Sequence, residues 1–137
     1  RYVVRRIAEA LNEDGKPMKG SRVLVLGLAY KANVDDDRES PSYELIELLR
    51  EGGALVDYCD PHFPLARKGR KVDVGLASVP CTPEAFAAYD AVVVATAHDA
   101  FKDPALWRDV RLAVDSRNLV APLFAGRSGG PSRLVKA

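Results

Sequence analysis

Residues 22–53, RVLVLGLAYKANVDDDRESPSYELIELLREGG, carry the reading on which the fold turns. Val23, Leu24, Val25 and Leu26 form a continuous apolar run, as expected of a strand covered on both faces. Gly27 breaks the run, and a loop crowded with charge follows. Ser40-Pro41 then supplies an N-cap and first-turn pair for a helix. Leu45, Leu48 and Leu49, with Ile46 beside them, mark its buried face, and Gly52-Gly53 stops it. Residues 54–59 read as a second strand closed by Asp60-Pro61. Strand, helix and strand joined this way favour a parallel pair.

Working outward, residues 2–12 place Val4, Ile7, Ala8 and Leu11 on one face of an amphipathic helix. So short a helix is marginal alone, so its stripe packs either on this domain or on an absent partner. The chain opens at Arg1, without Met and inside this helical pattern, as expected of a piece of a longer polypeptide. Residues 12–20, NEDGKPMKG, read as a linker. Beyond the second strand lies a polar loop over 61–75, then a short strand near 74–79. Thr82-Pro83-Glu84 starts a short helix reaching Tyr89. AVVVA, 91–95, is another buried strand; Asp103-Pro104 caps a short helix through Leu106 and Trp107. Residues 112–114 make a further strand ending at Asp115, and 134–136 an edge strand in the tail. Alternating strands and helices give an α/β layer with a parallel sheet.

Composition narrows the function. The chain has 137 residues, 47% hydrophobic, the size of one domain with a proper core. Twenty basic and 19 acidic residues leave a net charge of +1, which gives no electrostatic case for a nucleic-acid partner. Cys59 and Cys81 stand alone, with no CxxC pair and no zinc-like His spacing, and a core this size needs no disulfide. No segment reads as a membrane span or a secretion signal, so the expected location is the cytoplasm.

In an open parallel sheet a ligand sits beyond the carboxyl ends of the strands. After the first strand come Tyr30, Lys31, Asn33, Asp35, Asp36, Asp37, Arg38 and Glu39; after the second, Asp60. After AVVVA come Thr96, His98 and Asp99, and after the 112–114 strand Asp115, Ser116, Arg117 and Asn118. Lys31 and Arg117 thus belong to one edge, and a diphosphate needs such a pair of cations near a helix N-terminus. Spacing alone leaves a second reading open, in which these are surface ion-pair partners and Asp35 to Asp37 a solvated loop. His98 reads as a structural or exposed histidine, and the two cysteines as small buried residues. GLAYKAN lacks the second and third glycines of GxGxxG, so this is not a regular dinucleotide fingerprint.

Five blocks in order carry a resemblance: VLVLGLAYKANVDDDRESPSYELIELL, DYCDPHFP, SVPCTPEA, DAVVVATAHDAF and VDSRN. They resemble the C-terminal UDP-binding domain of the UDP-glucose/GDP-mannose dehydrogenase family. The GLAYKxxVDDxRESPS wording is most similar to the UDP-N-acetylglucosamine 6-dehydrogenase branch. The resemblance implies a three-layer Rossmann-like sandwich with a mainly parallel sheet, preceded by a helix. It also implies an enzyme that oxidises C6 of a nucleotide sugar from alcohol to carboxylate with two NAD. Such enzymes join an NAD-binding domain, a central helical dimerisation domain and a C-terminal domain that grips the nucleotide sugar. On this basis 1–20 would be the end of the interdomain helix and linker, and 21–137 the UDP-sugar-binding domain. Tyr30 and Lys31 would contact the sugar nucleotide, Arg117 would add a further substrate contact, and Arg38 would reach NAD. No GGxC-type motif for the family's nucleophilic cysteine occurs, so no catalytic residue and no metal site is assigned here. NAD would be held mainly by a domain outside this chain, and the intact enzyme would be a homodimer or larger. The competing reading is a free-standing phosphate-binding or receiver-like signalling module, suggested by the acids after the first strand. A receiver needs an acceptor Asp at the end of another strand and a Lys at the end of the last.

Overall fold

A computed structural model describes residues 2–28, 41–62, 78–126 and 128–137. The elements run α1 (Tyr2–Glu13), β1 (Arg22–Leu26), α2 (Pro41–Glu51), β2 (Leu55–Cys59), α3 (Pro83–Ala87) and β3 (Ala91–Val94). They continue with 3-10 turns at Asp99–Phe101 and Pro104–Trp107, then β4 (Leu112–Asp115), α4 (Val120–Leu123) and β5 (Arg133–Lys136). The strands lie in the order β2-β1-β3-β4-β5, and every ladder is parallel. This is the Rossmann-like α/β sandwich expected. The tail strand joins the sheet one residue earlier than its apolar pattern suggests, with Arg133 opposite Leu112. The 74–79 strand lies mostly outside the described residues, and Ser78 makes a single parallel bridge to Tyr58.

β1 to β4 alternate between two cores, as the pleat requires, while the edge strand β5 packs only Val135 inward. Val23, Val25, Val56, Tyr58, Val93, Leu112 and Val114 face α1 and α2, whose Ile7, Ala10, Leu11, Tyr43, Ile46 and Leu49 cover them. Leu24, Leu26, Cys59, Val92, Val94 and Ala113 face Phe86, Phe101, Trp107 and Val120. β1 is therefore buried on both faces, which is why its sequence does not alternate. The opening helix packs on this domain. Its buried stripe is Ile7, Ala10 and Leu11, with Ala8 only half-buried, a small rotation from the apolar face read from sequence. Arg133 of β5 fastens it: Nη1 donates to the Ala10 carbonyl (3.2 Å), and the guanidinium pairs with Glu13 and Asp14. A cation on the last carbonyls of a helix meets groups that have no partner within the helix.

At the amino edge of the sheet, Asp90 gathers three elements. Its carboxylate accepts from Lys16 Nζ (2.6 Å) and from the Arg22 backbone N–H (2.8 Å), with Arg111 3.7 Å away. Burial by itself would raise this carboxyl, but the Lys16 and Arg22 hydrogen bonds and the Lys16 and Arg111 charges outweigh it and hold it below its ordinary value. A depressed carboxyl contributes stability that is fully present above its unfolded value and is lost as pH falls through the folded one. Urea melts should therefore show wild-type stability declining below about pH 4, with a shallower decline for Asp90→Asn. Parallel acid limbs for the two proteins would contradict this role.

Candidate functional site

The strand order reverses between β1 and β3: β2 lies to one side of β1, and β3, β4 and β5 to the other. At such a switch point the loops leave in opposite directions and open a crevice beyond the carboxyl ends. Gly27 sits there with φ +96°, and a Cβ on it would lie 2.6 Å from Thr96 Cβ. The glycine thus lets the loop after β3 close on the end of β1. Its free side is filled by Thr96, so it leaves no cradle for a dinucleotide pyrophosphate.

Asp60, fully buried at the end of β2, organises the neighbouring loops. Oδ2 accepts from Leu28 N–H (2.7 Å) and Oδ1 from His62 N–H (2.9 Å), while its own N–H donates to Ser78 Oγ (2.8 Å). Leu28 is the last described residue before the loop carrying Tyr30, Lys31 and Arg38, so Asp60 fixes where that loop departs. Tyr30, Lys31 and Arg38 themselves lie outside the described residues, as do Ser40 and Asp35 to Asp37. Sequence reading noted Asp60 only as a strand end. The DP step that closes the strand was the available signal.

The loop after β4 is tied down four ways. Asp115 is buried; Oδ1 accepts from Arg117 N–H (3.0 Å) and Oδ2 from Val120 N–H (2.7 Å). Ser116 Oγ donates to the Val94 carbonyl (2.6 Å), and Arg117 Nε to the Ala95 carbonyl (3.1 Å). Asn118 completes the turn at φ +55°, a conformation Asn tolerates better than most residues. Arg117 therefore belongs to β4's loop but leans over the end of β3, toward the switch point. Its side chain is exposed, and among the described residues it makes no ion pair. A pocket of about 430 Å³ opens beside it, lined by Asp115, Ser116, Arg117, Asn118, Lys136 and Ala137.

The remaining candidates are structural. His98 is buried; its Nδ1 accepts from Ala100 N–H (3.0 Å) and caps the Asp99–Phe101 turn, with its ring against His62 and Phe101. Cys59 and Cys81 are free thiols. Hydrogen bonding with Cys81 and burial push Cys59 up, and the same bond holds Cys81 below its ordinary value. Among the described residues no group of three His, Cys, Asp or Glu is placed to hold a metal. The receiver-like alternative loses its chemistry at β3, which runs into Ala95 and Thr96 and offers no acceptor acid. Its other requirement is met, since the last strand, β5, ends in Lys136.

Comparison with known proteins agrees with this geometry. Residues 24–122 match the UDP binding domain of the UDP-glucose/GDP-mannose dehydrogenase family. A UDP-N-acetyl-D-mannosamine dehydrogenase of Methanococcus maripaludis is 35% identical over 74% of this chain and 21% of its own length. A UDP-glucose 6-dehydrogenase of Rhizobium meliloti is 36% identical over 74% of this chain and 22% of its own. Among solved structures, a UDP-glucose dehydrogenase from Pyrobaculum islandicum superimposes with TM-score 0.67 at 33% identity, covering 86% of this chain and 27% of that one. A UDP-D-ManNAc dehydrogenase from Pyrococcus horikoshii shares the fold, with TM-score 0.73 at 23% identity over 98% of this chain and 29% of that one. The chain thus spans about a fifth of the length of the relatives it matches in sequence.

Two substitutions test how this edge is built. Gly27→Ala should destabilise the domain by about 2–3 kcal/mol, because the left-handed backbone and the Thr96 contact both oppose a Cβ. Asp60→Ala leaves two backbone donors without their acceptor and should cost about 2–5 kcal/mol in urea unfolding. Losses below about 0.5 kcal/mol, the range of ordinary surface changes, would show that these contacts do not hold the edge together.

Proposed function

This chain belongs to the UDP-glucose/GDP-mannose dehydrogenase family, and on that premise we propose that it is the nucleotide-sugar-binding domain of an NAD-dependent UDP-sugar 6-dehydrogenase. The observation that carries the proposal is Arg117: its Nε bond to the Ala95 carbonyl brings an exposed, forked cation from β4's loop to the β1/β3 switch point. Lys31 follows β1 by five residues in the sequence. Neighbouring strands are about 4.8 Å apart, so loops on β1 and β4, with β3 between them, span roughly the reach of a diphosphate and its sugar. In this reading Arg117 and Lys31 bind the charged middle of a UDP-sugar, and Tyr30 packs against the same ligand. The substrate is UDP-N-acetylglucosamine or a related UDP-sugar.

The chain's own contribution is binding and orientation. NAD, when bound, accepts hydride from C6 of the sugar. Nothing among the described residues forms a cradle for it, because the Gly27 turn is closed by Thr96. Arg38, just ahead of the Ser40-Pro41 helix start, is assigned to reach a cofactor held by another domain. Residues 1–20 are assigned as the end of the helix that leads from a central domain, and 21–137 as the substrate domain. The intact protein is taken as a cytoplasmic homodimer or larger assembly. Among the described residues, no helix is long and apolar enough to cross a membrane.

Calorimetry on the intact protein tests the assignments. Lys31→Ala and Arg117→Ala should each weaken UDP-sugar binding by about 1.5–3 kcal/mol, the worth of a charge-assisted contact. Asp115 and Ser116 hold the loop independently of the Arg117 side chain, so Arg117→Ala should leave stability nearly unchanged. Unaltered affinity and turnover in both variants would refute the substrate assignment. Arg38→Ala should raise KM for NAD while UDP-sugar affinity stays constant. An effect confined to UDP-sugar binding would reverse that role.

A further inference from the structure

The pocket beside Arg117 has a second cation that sequence reading did not single out. The β4/β5 register places Lys136 opposite Asp115, on the face of the sheet shared by Ala113 and Leu134. Lys136 is exposed and lines the same pocket as Arg117. Its backbone is fixed from both sides: Arg6 Nε of α1 donates to its carbonyl (3.4 Å), and the next residue's N–H donates to the Asp115 carbonyl (3.1 Å).

An opposite charge directly across a ladder is an obvious partner for a lysine. Here that partner is already engaged. Both Asp115 oxygens accept backbone N–H groups, from Arg117 and Val120, and no ion pair joins Asp115 to Lys136. Two cations therefore share a pocket with Asp115, whose carboxylate oxygens accept hydrogen bonds from its own loop. A cavity of about 430 Å³ is within the size range of small-molecule sites. Ser116 and Asn118 add polar groups to its wall. A forked guanidinium beside a point-charge ammonium suits a tetrahedral phosphoryl group, which offers oxygens in several directions.

We propose that Lys136 is a second phosphoryl-binding cation, acting with Arg117 in the pocket at the carboxyl ends of β4 and β5. The inference deepens the function proposed above and rests on its reading of Arg117 as a phosphate-side contact. The phosphoryl group comes either from the diphosphate of the bound nucleotide sugar or from a free phosphate compound in the same pocket. Lys136 contacts the phosphoryl oxygens directly and is distant in sequence from the loop that carries Lys31.

The test is isothermal titration of the intact protein with UDP, uridine and inorganic pyrophosphate, using wild type, Lys136→Gln and Lys136→Arg. The proposal expects Lys136→Gln to weaken UDP and pyrophosphate about three- to tenfold, with a shallower salt dependence. Uridine binding stays unchanged, and Lys136→Arg restores most of the loss. Loss confined to pyrophosphate, with UDP unaffected, would assign the pocket to a free phosphate compound and keep Lys136 as its ligand. Lys136-dependent pyrophosphate binding without any UDP binding would sustain the pocket and remove the UDP-sugar function. UDP binding that is indifferent to Lys136, together with pyrophosphate binding that is absent or equally indifferent, would overturn the proposal and leave the function standing.

Discussion

Backbone N–H groups that emerge from the end of a buried strand have no ladder partner, and the carboxyl edge of this sheet is arranged around that constraint. Two buried carboxylates meet it. Asp60 takes the N–H groups of Leu28 and His62, and Asp115 those of Arg117 and Val120. Neither acid is free to act as a base or to bind a cation, because each is spent on shaping loops. Among the described residues of the β4 loop, this leaves the Arg117 side chain exposed beside the buried Asp115. Removing one would be felt twice, as unsatisfied backbone and as a displaced cation.

The same arrangement explains why a glycine-poor turn can serve a nucleotide domain. In a dinucleotide fingerprint the glycines bring backbone close to a pyrophosphate. Here Gly27 instead brings the end of β1 close to Thr96 in the loop after β3.

Legibility in the sequence followed the range of the interactions involved. β1, β2 and β3 were readable as mainly apolar runs and α2 as an amphipathic period, each bounded by Gly, Pro or Asp, all local signals. Thr82 was recognisable as a cap for the same reason, and its side chain does accept from Ala85 N–H. The short helix α4 was missed: its cap comes from Asp115, five residues before Val120, and four residues hold no period. The Asp99–Phe101 turn was missed because its cap is a histidine. At the site, Arg117 was found by its place after a strand, but its lean toward β3 depends on a carbonyl 22 residues away. Asp60 reaches Leu28 across 32 residues, and Lys136 meets Asp115 only once β5 is known to be a strand.

The seam between α1 and β5 joins residues far apart in the chain: Arg6 meets Lys136 across 130 positions, and Arg133 meets Ala10 across 123. Loop-closure cost rises by about 0.6 kcal/mol per doubling, so closing 130 residues instead of the 32 between Leu28 and Asp60 costs about 1.2 kcal/mol more. Few contacts reward that closure while the chain is open. Once β1, β3 and β4 stand side by side, however, the helix has a face to settle on and β5 has a ladder to join, and the effective loop becomes short. In chain-entropy terms the seam is a long-range contact that the assembled sheet makes inexpensive.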